Sequence, residues 1–446
     1  MMKGGHVQKS MTGDERRLLL SAVAREIDRL GGRALLVGGC VRDGLLGRES
    51  GDIDCEVHGI QPQALHALLS RFGEVDGSGG AYGVYTLRAA GIDMAIPRLE
   101  TRTGARHRDF SVTLDPWLSA ERAAARRDFT VNAIMRDALT GEYVDPFGGI
   151  GDLSRGVLRM VPGGQFEEDP LRVLRGAQFA ARFHLEPEED TLSAMARMPL
   201  FDLSAARVLG ETKKALMQAD RPDVFFRVLK RAGALSPWFE ELHALCGVRE
   251  DPRYHPEEDA FEHTMLVLRG AASVRERAKE PLFLMLAALT HDLGKASGAE
   301  GHDERGMALV EAMLARLGAG KAAIAYCRDM CRLHMRAHAC FCFKRDRACT
   351  NLLFDESVCA RDLALLVLCD AHGTGKPRAS ADEEARFLED RIACYEDACT
   401  RPMPTADMLR RAGIAPGPGM GDALRRARRD VLMGKTAEEA VKSLTS

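Results

Sequence analysis

The sequence lacks the features that would place it in a membrane, outside the cell, or on nucleic acid by bulk charge alone. Its longest apolar stretch, Pro281 to Thr290, is far too short to span a bilayer. Met1 to Met11 lacks the basic-then-apolar layout of a signal peptide. Lys and Arg total 62 against 65 Asp and Glu, a formal charge of -3, so a nucleic-acid partner must be held by local patches. No CxxC pair occurs, and the 12 cysteines, ten of them beyond residue 240, do not follow the spacing of a small secreted domain. Reduced thiols and a cytoplasmic location are expected. There is no internal repeat and no low-complexity segment. What remains is ordinary globular composition, 46% hydrophobic and 28% charged over 446 residues, enough for several separate cores.

The pattern along the chain changes character once. Residues 14–31 read as an amphipathic helix closed by Gly31-Gly32. From Ala34 to about Val161, short β-type runs (Ala34–Val37, Asp52–Val57, Gly83–Arg88, Ile92–Ile96) alternate with glycines, which indicates a mixed α/β domain. From about Asp169 onward the pattern is almost wholly helical, with stretches at 202–218, 222–233, 257–276, 281–293, 306–317 and 321–339 and a basic helix from Asp422 to Met433. The expected fold class is therefore multidomain, α/β followed by all-α.

Several motifs carry chemistry. Leu35-Leu36-Val37-Gly38-Gly39-Cys40-Val41-Arg42-Asp43 is a strand entering a double glycine and a helix start. Glycines there let backbone N–H groups approach an anion, and Arg42 can hold a phosphate through two N–H groups; a plain turn is the other reading. In Asp52-Ile53-Asp54-Cys55-Glu56, strand alternation puts the three acids on one face. Divalent cations give such a cluster a purpose, because Mg²⁺ prefers carboxylates together with phosphate oxygens; the alternative is a solvated edge strand, with Glu56 at its outer end in a structural role. Asp93, alone in the apolar run Ile92 to Ile96, is a candidate third ligand. Arg126 to Ala133 suits a ribose and phosphates. Asp169 and Arg172, three apart at a helix start, would share a face and pair an acceptor with a donor.

Taken together, these motifs, with Asp145-Pro146-Phe147-Gly148-Gly149 and Arg207 with Glu211, resemble the class II tRNA nucleotidyltransferase and bacterial poly(A) polymerase superfamily over roughly residues 32–240. The resemblance implies that Asp52 and Asp54 hold two Mg²⁺ with Asp93 as third acid, and that Gly38, Gly39 and Arg42 bind a triphosphate. It implies that Arg127, Asp128 and Asn132 contact sugar and phosphates, and that Asp169 and Arg172, with Arg175 on the same motif, read the base. It also implies that residues 98–125, with Arg98, Arg102, Arg106 and Arg108, hold a mobile loop needed for adding the terminal A.

A second constellation follows. His263, His291-Asp292 and Asp370 resemble the ligands of the HD phosphohydrolase superfamily, and His302 and His334 fall where its two-metal members carry further histidines. Such a donor set suits a divalent metal, transition metals included. Cys327, Cys331, His334, His338, Cys340 and Cys342 lie on or near one helix stripe and are read as buried thiols around the ligand His334 rather than as a zinc site. The tail, from Gly413 to Gly421 and the arginines at 425, 426, 428 and 429, is either an RNA-backbone contact or a capped helix with a solvated basic face.

The resemblance divides the chain into an N-terminal helix (1–31), a nucleotidyltransferase head with a mixed sheet (32–160), a helical neck (161–240), an HD domain (241–400) and a helical tail (401–446). The implied function is template-independent addition or repair of the tRNA 3′ CCA from CTP and ATP, with the tRNA 3′ end as partner and no membrane. The same motifs are compatible with A-only addition or poly(A) synthesis. The reading from another class is an HD phosphohydrolase with an RNA-binding head.

Overall fold

Thr12 begins the first helix by accepting the Glu15 N–H on its hydroxyl while Glu15 accepts the Thr12 N–H in return, at 3.3 and 2.7 Å. The computed structural model describes residues 11–49, 51–102, 110–163, 165–249, 259–373 and 378–445. The chain divides into two compact units between Asp202 and Leu203, inside the interval assigned to the neck.

The first unit comprises α1 (Gly13–Arg29), β1 (Arg33–Val37), α2 (Gly39–Leu45), β2 (Ile53–His58), α3 (Pro62–Leu69), β3 (Val75–Asp76), β4 (Val84–Leu87), β5 (Ile92–Ala95), β6 (Arg98–Arg102), β7 (Phe110–Leu114), α4 (Ala120–Ala125), β8 (Met135–Asp137), β9 (Tyr143–Val144), α5 (Gly149–Arg155), β10 (Val157–Leu158), α6 (Leu171–Phe183), β11 (Glu186–Pro187) and α7 (Glu189–Ala196). Seven strands form one sheet in the order β3-β4-β5-β2-β1-β8-β9. β2 is therefore central, which removes the edge-strand reading of its acids. β2 and β5 pair in parallel, whereas β1 runs antiparallel to both β2 and β8.

Alternation sorts the two sheet faces. Ala34, Cys55, Val57, Ile92 and Met94 pack with Leu20, Val23 and Ile27 of α1 and Leu65, Leu68 and Leu69 of α3 in one core. Leu35 and Val37 face the other way, against Ala124, Ala133, Met135 and Val161. That second face carries the acids, because Glu56 lies opposite Leu35 in the register. The interval 98–125 holds an antiparallel ribbon, β6 with β7, and then α4; Arg106 and Arg108 lie outside the described residues.

The second unit is helical: α8 (Ala205–Gln218), α9 (Asp223–Arg231), α10 (Glu240–His243), α11 (Ala260–Val274), α12 (Pro281–Thr290), α13 (His302–Arg316), α14 (Lys321–Cys342), α15 (Arg347–Glu356), α16 (Ala360–Gly373), α17 (Arg378–Thr400), α18 (Ala406–Arg411), α19 (Met420–Leu432) and α20 (Ala437–Lys442). α11 packs on α16 and α12, and α14 packs on α12, α13 and α16.

Four details differ from the sequence expectation. A short parallel pair, β10 with β11, interrupts the helical region after Asp169. The helix expected over 281–293 ends at Thr290, because Asp292 (φ -109°, ψ 11°) leaves the helical conformation and starts a tight 3₁₀ turn over Leu293–Ser297. The helix expected from 306 starts at His302, after Gly301 in a left-handed conformation. α14 runs on to Cys342. Among the described residues no helix is long and apolar enough to cross a membrane.

Candidate active site

The acids of the first unit are placed by strand register. Asp52 precedes β2, and Asp54 on β2 stands opposite Asp93 on β5. Thr86 on β4 stands opposite Asp93 and donates its hydroxyl to Asp93 Oδ1 at 2.5 Å. Desolvation and then the Asp93 charge push the Asp54 carboxyl above its usual pKa, opposed by Arg127 and aided by Asp52. Asp54 as a whole is exposed, and register fixes Asp93 directly opposite it. Like charges on neighbouring strands are destabilising unless a cation lies between them. This donor set therefore fits Mg²⁺, an ion that takes carboxylates and phosphate oxygens. The acids share a strand pair rather than a closed cage: among the described residues, sets of three or more ligand atoms within 4.8 Å of one another lie in the second unit.

The cationic side of the cleft forms around the glycine turn. Gly38 has φ +69°, and a Cβ there would stand 3.2 Å from Arg127 Nη1, so the turn needs glycine both for its conformation and for the approach of that guanidinium. Gly39 opens α2, and a Cβ on it would stand 3.7 Å from Arg42 Nη2. Arg42 is buried. It donates to Asp43 Oδ1 at 2.9 and 2.7 Å and to Asn132 Oδ1 at 2.5 Å, and it lies 4.0 Å from the Phe183 ring centroid. Asn132 donates to Asp128 at 2.9 Å, and Arg175 donates to the other Asp128 oxygen at 2.7 Å. Burial raises the Asp128 pKa, but Arg175 and the Asn132 and Phe129 N–H groups together hold it below the usual value.

Glu56 corrects the sequence reading. It is not an outer-end residue but 1% exposed, accepting from Arg126 Nη2 at 2.9 Å, with Arg127 Nη2 3.6 Å away and His58 Nε2 3.4 Å from its other oxygen. Burial opposes its charge, yet His58, Arg127 and Arg126 lower its pKa to about 2. The Arg127 side chain is only 17% exposed and makes no hydrogen bond of its own among the described residues; its buried Nε has no acceptor. A buried guanidinium with unspent donors calls for an anion.

Asp169 and Arg172 do not share a helix face. Pro170 caps α6, and the residue before a proline is steered away from helix, so Asp169 lies outside it with Oδ1 accepting the Leu171 N–H at 2.9 Å. Arg172 donates to the carbonyls of Gln165 and Arg126 at 2.5 and 2.7 Å, which fixes its guanidinium plane beside the start of the Arg126 to Ala133 segment.

In the second unit, His263 (α11), His291 and Asp292 (after α12) and Asp370 (α16) converge, as do Asp292, His302 (α13) and His334 (α14); Asp292 belongs to both sets. His263 Nε2 is 2.9 Å from Asp370 Oδ1, His291 Nε2 is 3.1 Å from Asp292 Oδ2, and His302 Nε2 is 3.1 Å from Asp292 Oδ1. The Nδ1 atoms of His291, His302 and His334 lie 3.0, 2.7 and 2.7 Å from the carbonyls of Ala288, Ala299 and Cys331. The proton therefore belongs on Nδ1, and the Nε2 lone pairs face carboxylate oxygens. His291 Nε2 and Asp292 Oδ1 are buried without a hydrogen-bond partner. Acceptors turned toward acceptors in a buried site need a cation. The Asp292 and Asp370 carboxylates, overcoming burial, raise the His291 pKa, the same negative field that favours a cation there.

Lys295, which the sequence reading passed over, donates to Asp292 Oδ2 at 2.8 Å, brought back to it by the 3₁₀ turn that Asp292 starts. Gly294 is required here, since a Cβ would stand 2.0 Å from the His302 carbonyl oxygen. In the cysteine stripe, Cys327 and Cys331 are buried, the latter donating to the His291 carbonyl at 3.1 Å.

Residues 34–159 match the family described as the poly A polymerase head domain. The chain is 35% identical over 424 residues to the multifunctional CCA protein of Stenotrophomonas maltophilia (strain K279a), spanning 88% of this chain and 97% of that one. It is 36% identical over 396 residues to the multifunctional CCA protein of Alkalilimnicola ehrlichii (strain ATCC BAA-1101 / DSM 17681 / MLHE-1), spanning 84% and 92%. Its fold matches an apo CCA-adding enzyme (TM-score 0.68, 20% identity, 97% and 96% covered) and the Thermotoga maritima CCA-adding enzyme complexed with tRNA (TM-score 0.65, 19% identity, 98% and 97% covered). With relatives at this identity aligned over nearly their whole length and the acids and arginines gathered on one sheet face, the chain belongs to the bacterial CCA-adding enzyme family.

Proposed function

We propose that the first unit transfers CMP and AMP from CTP and ATP to the 3′ end of tRNA, with Asp52, Asp54 and Asp93 holding two Mg²⁺. The observation that carries this reading is the register pair Asp54–Asp93 facing the buried, donor-rich Arg127. When bound, the two ions supply positive charge at the attacking 3′-hydroxyl and at the departing pyrophosphate. Thr86 fixes the Asp93 carboxylate. Arg42, clamped by Asp43, Asn132 and Phe183, and Arg127, pressed against the Gly38 turn, receive triphosphate oxygens. Asp128, held by Arg175 and Asn132, is the acceptor assigned to a sugar hydroxyl. Asp169 and Arg172 present an acceptor and a fixed planar donor to the base.

The test is extension of three tRNA transcripts, ending at the discriminator base, at C and at CC, with CTP, ATP or both in Mg²⁺. Extension that stops at CCA on all three is expected. A added only to the CC end, or a long A ladder, would instead assign the A-adding or poly(A) variant of the chemistry.

A second activity is favoured by the buried His and Asp sets of the second unit. We propose an HD-type phosphohydrolase site, with His263, His291, Asp292 and Asp370 holding one divalent metal and Asp292, His302 and His334 a second. Bound metal there supplies a hydroxide near neutral pH, and Lys295 holds Asp292 in place. Metal-dependent release of phosphate from a phosphoester, lost in a His291→Ala, Asp292→Ala variant, checks it.

A further inference from the structure

We propose that Glu56 is a positioning residue of the nucleotide site, the fixed anion that aims Arg126 and Arg127 at the triphosphate. The inference rests on the proposed role of Arg127 as a triphosphate ligand.

Glu56 lies two residues past Asp54 on the same face of central strand β2 and is buried where Asp54 is exposed. Its cross-strand neighbours are apolar, Leu35 on β1 and Ala95 on β5, while His58 of its own strand brings Nε2 to 3.4 Å from Oε1. A side chain there has no packing reason to be charged, and a buried ion pair is a poor source of net stability, since desolvation offsets most of the attraction. The position of its partners supplies the reason. Arg126 and Arg127 are consecutive, and both guanidiniums reach the single oxygen Oε2, at 2.9 and 3.6 Å. Two adjacent guanidiniums repel each other and would swing apart into solvent while no nucleotide is bound. One buried carboxylate between them holds both in place beforehand.

Arg127 Nη1 lies against the Gly38 turn, while the Arg126 carbonyl anchors Arg172 at 2.7 Å. Glu56 also leaves Arg127 incompletely satisfied: the contact at 3.6 Å is an ion pair and not a hydrogen bond. Arg127 is thus aimed without being spent, which is preorganisation of the kind that strengthens anion binding.

The experiment measures inhibition by inorganic pyrophosphate, which probes the triphosphate cradle without a base, beside steady-state kinetics for CTP, ATP and tRNA. In Glu56→Gln the pyrophosphate Ki and both nucleotide KM values are expected to rise together by about tenfold, the loss of one charge-assisted contact. The KM for tRNA should stay near wild type. Arg127→Lys should raise the pyrophosphate Ki on its own, and adding Glu56→Gln to it should worsen it little further, because the two act through one group. A folded Glu56→Gln enzyme with a wild-type Ki, or additive losses in the double variant, overturns the proposal. If Glu56→Gln does not fold, Glu56→Asp keeps the charge but withdraws it by one methylene; a raised Ki supports the proposal and an unchanged Ki sinks it. Asp54→Asn separates this from the underlying reading: full incorporation by that variant would overturn the nucleotidyl-transfer site itself, whereas its loss beside an unaltered Glu56→Gln Ki would overturn only the positioning role.

Discussion

Asp54 and Asp93 are register partners on neighbouring parallel strands, so their two negative charges are held together by backbone hydrogen bonds rather than by any attraction between them. Removing one charge should separate function from stability. Asp54→Asn is expected to lower incorporation by at least about 10³-fold, the scale of losing a metal ligand in two-metal chemistry. Its melting temperature in EDTA should be no lower than wild type, because repulsion is relieved. Primer extension and thermal melts on the same preparation check both halves, and a clear fall in melting temperature would contradict the assigned repulsion.

Arg42→Lys should behave as a large change despite keeping the charge. Lysine cannot reach Asp43 and Asn132 at once or stack flat on Phe183. The kcat/KM for both CTP and ATP is expected to fall by about 10–100-fold. Equal effects on the two nucleotides would place the contact on their shared phosphates; a loss confined to one would move it to the base.

Glu56 also predicts an acid limb in the stability curve. Its folded pKa, about 2, lies below the unfolded value of 4.5, so the folded state binds this proton more weakly than the unfolded chain does. Its contribution is present above pH 4.5 and is lost as the pH falls through about 2. Urea midpoints measured across that window should slope less steeply in Glu56→Gln than in wild type; parallel curves would refute the assignment.

Arg175 holds the buried Asp128 carboxylate. Arg175→Ala leaves that charge short of its partner and should destabilise the protein by roughly 2–4 kcal/mol, part of it offset because the arginine is partly exposed. Urea unfolding gives the number directly. Arg175→Ala combined with Asp128→Asn should recover part of the loss.

In the second unit, His302→Ala with His334→Ala should reduce bound divalent metal by about one equivalent per chain. His291→Ala with Asp292→Ala should abolish metal binding there and any phosphohydrolase activity while leaving nucleotide incorporation unchanged. Loss of both activities would mean that metal in this unit is structural. Elemental analysis after dialysis, beside both assays, distinguishes these outcomes.

Local pattern carried much of the architecture. The alternation of β2 put Asp54 and Glu56 on one face, and the resemblance to the HD superfamily grouped His263, His291, Asp292 and Asp370, which the fold brings together. Alternation names a face but not what covers it. Glu56 was therefore misplaced, since its cover comes from Arg126, 70 residues away. Asp169 and Arg172 misled for a different reason: an i,i+3 spacing means a shared face only inside a helix, and Pro170 starts α6 after Asp169. Thr86 and Phe183 could not be found from sequence, because a threonine beside an acid or a phenylalanine beneath a guanidinium leaves no spacing signal.

The parallel pairing of β2 with β5 also has a kinetic meaning. Parallel neighbours need a crossover, and here α3, β3 and β4 must be made before β5 can dock beside β2. Asp93 thus joins Asp54 only through a contact between distant parts of the sequence, the slowest kind to form. A nascent chain released before residue 93 would hold the double glycine and the first two acids but not the third. The metal-binding face is then a late product of synthesis, and disturbances in β4 or β5 would cost the enzyme its chemistry while most of its helices remained folded.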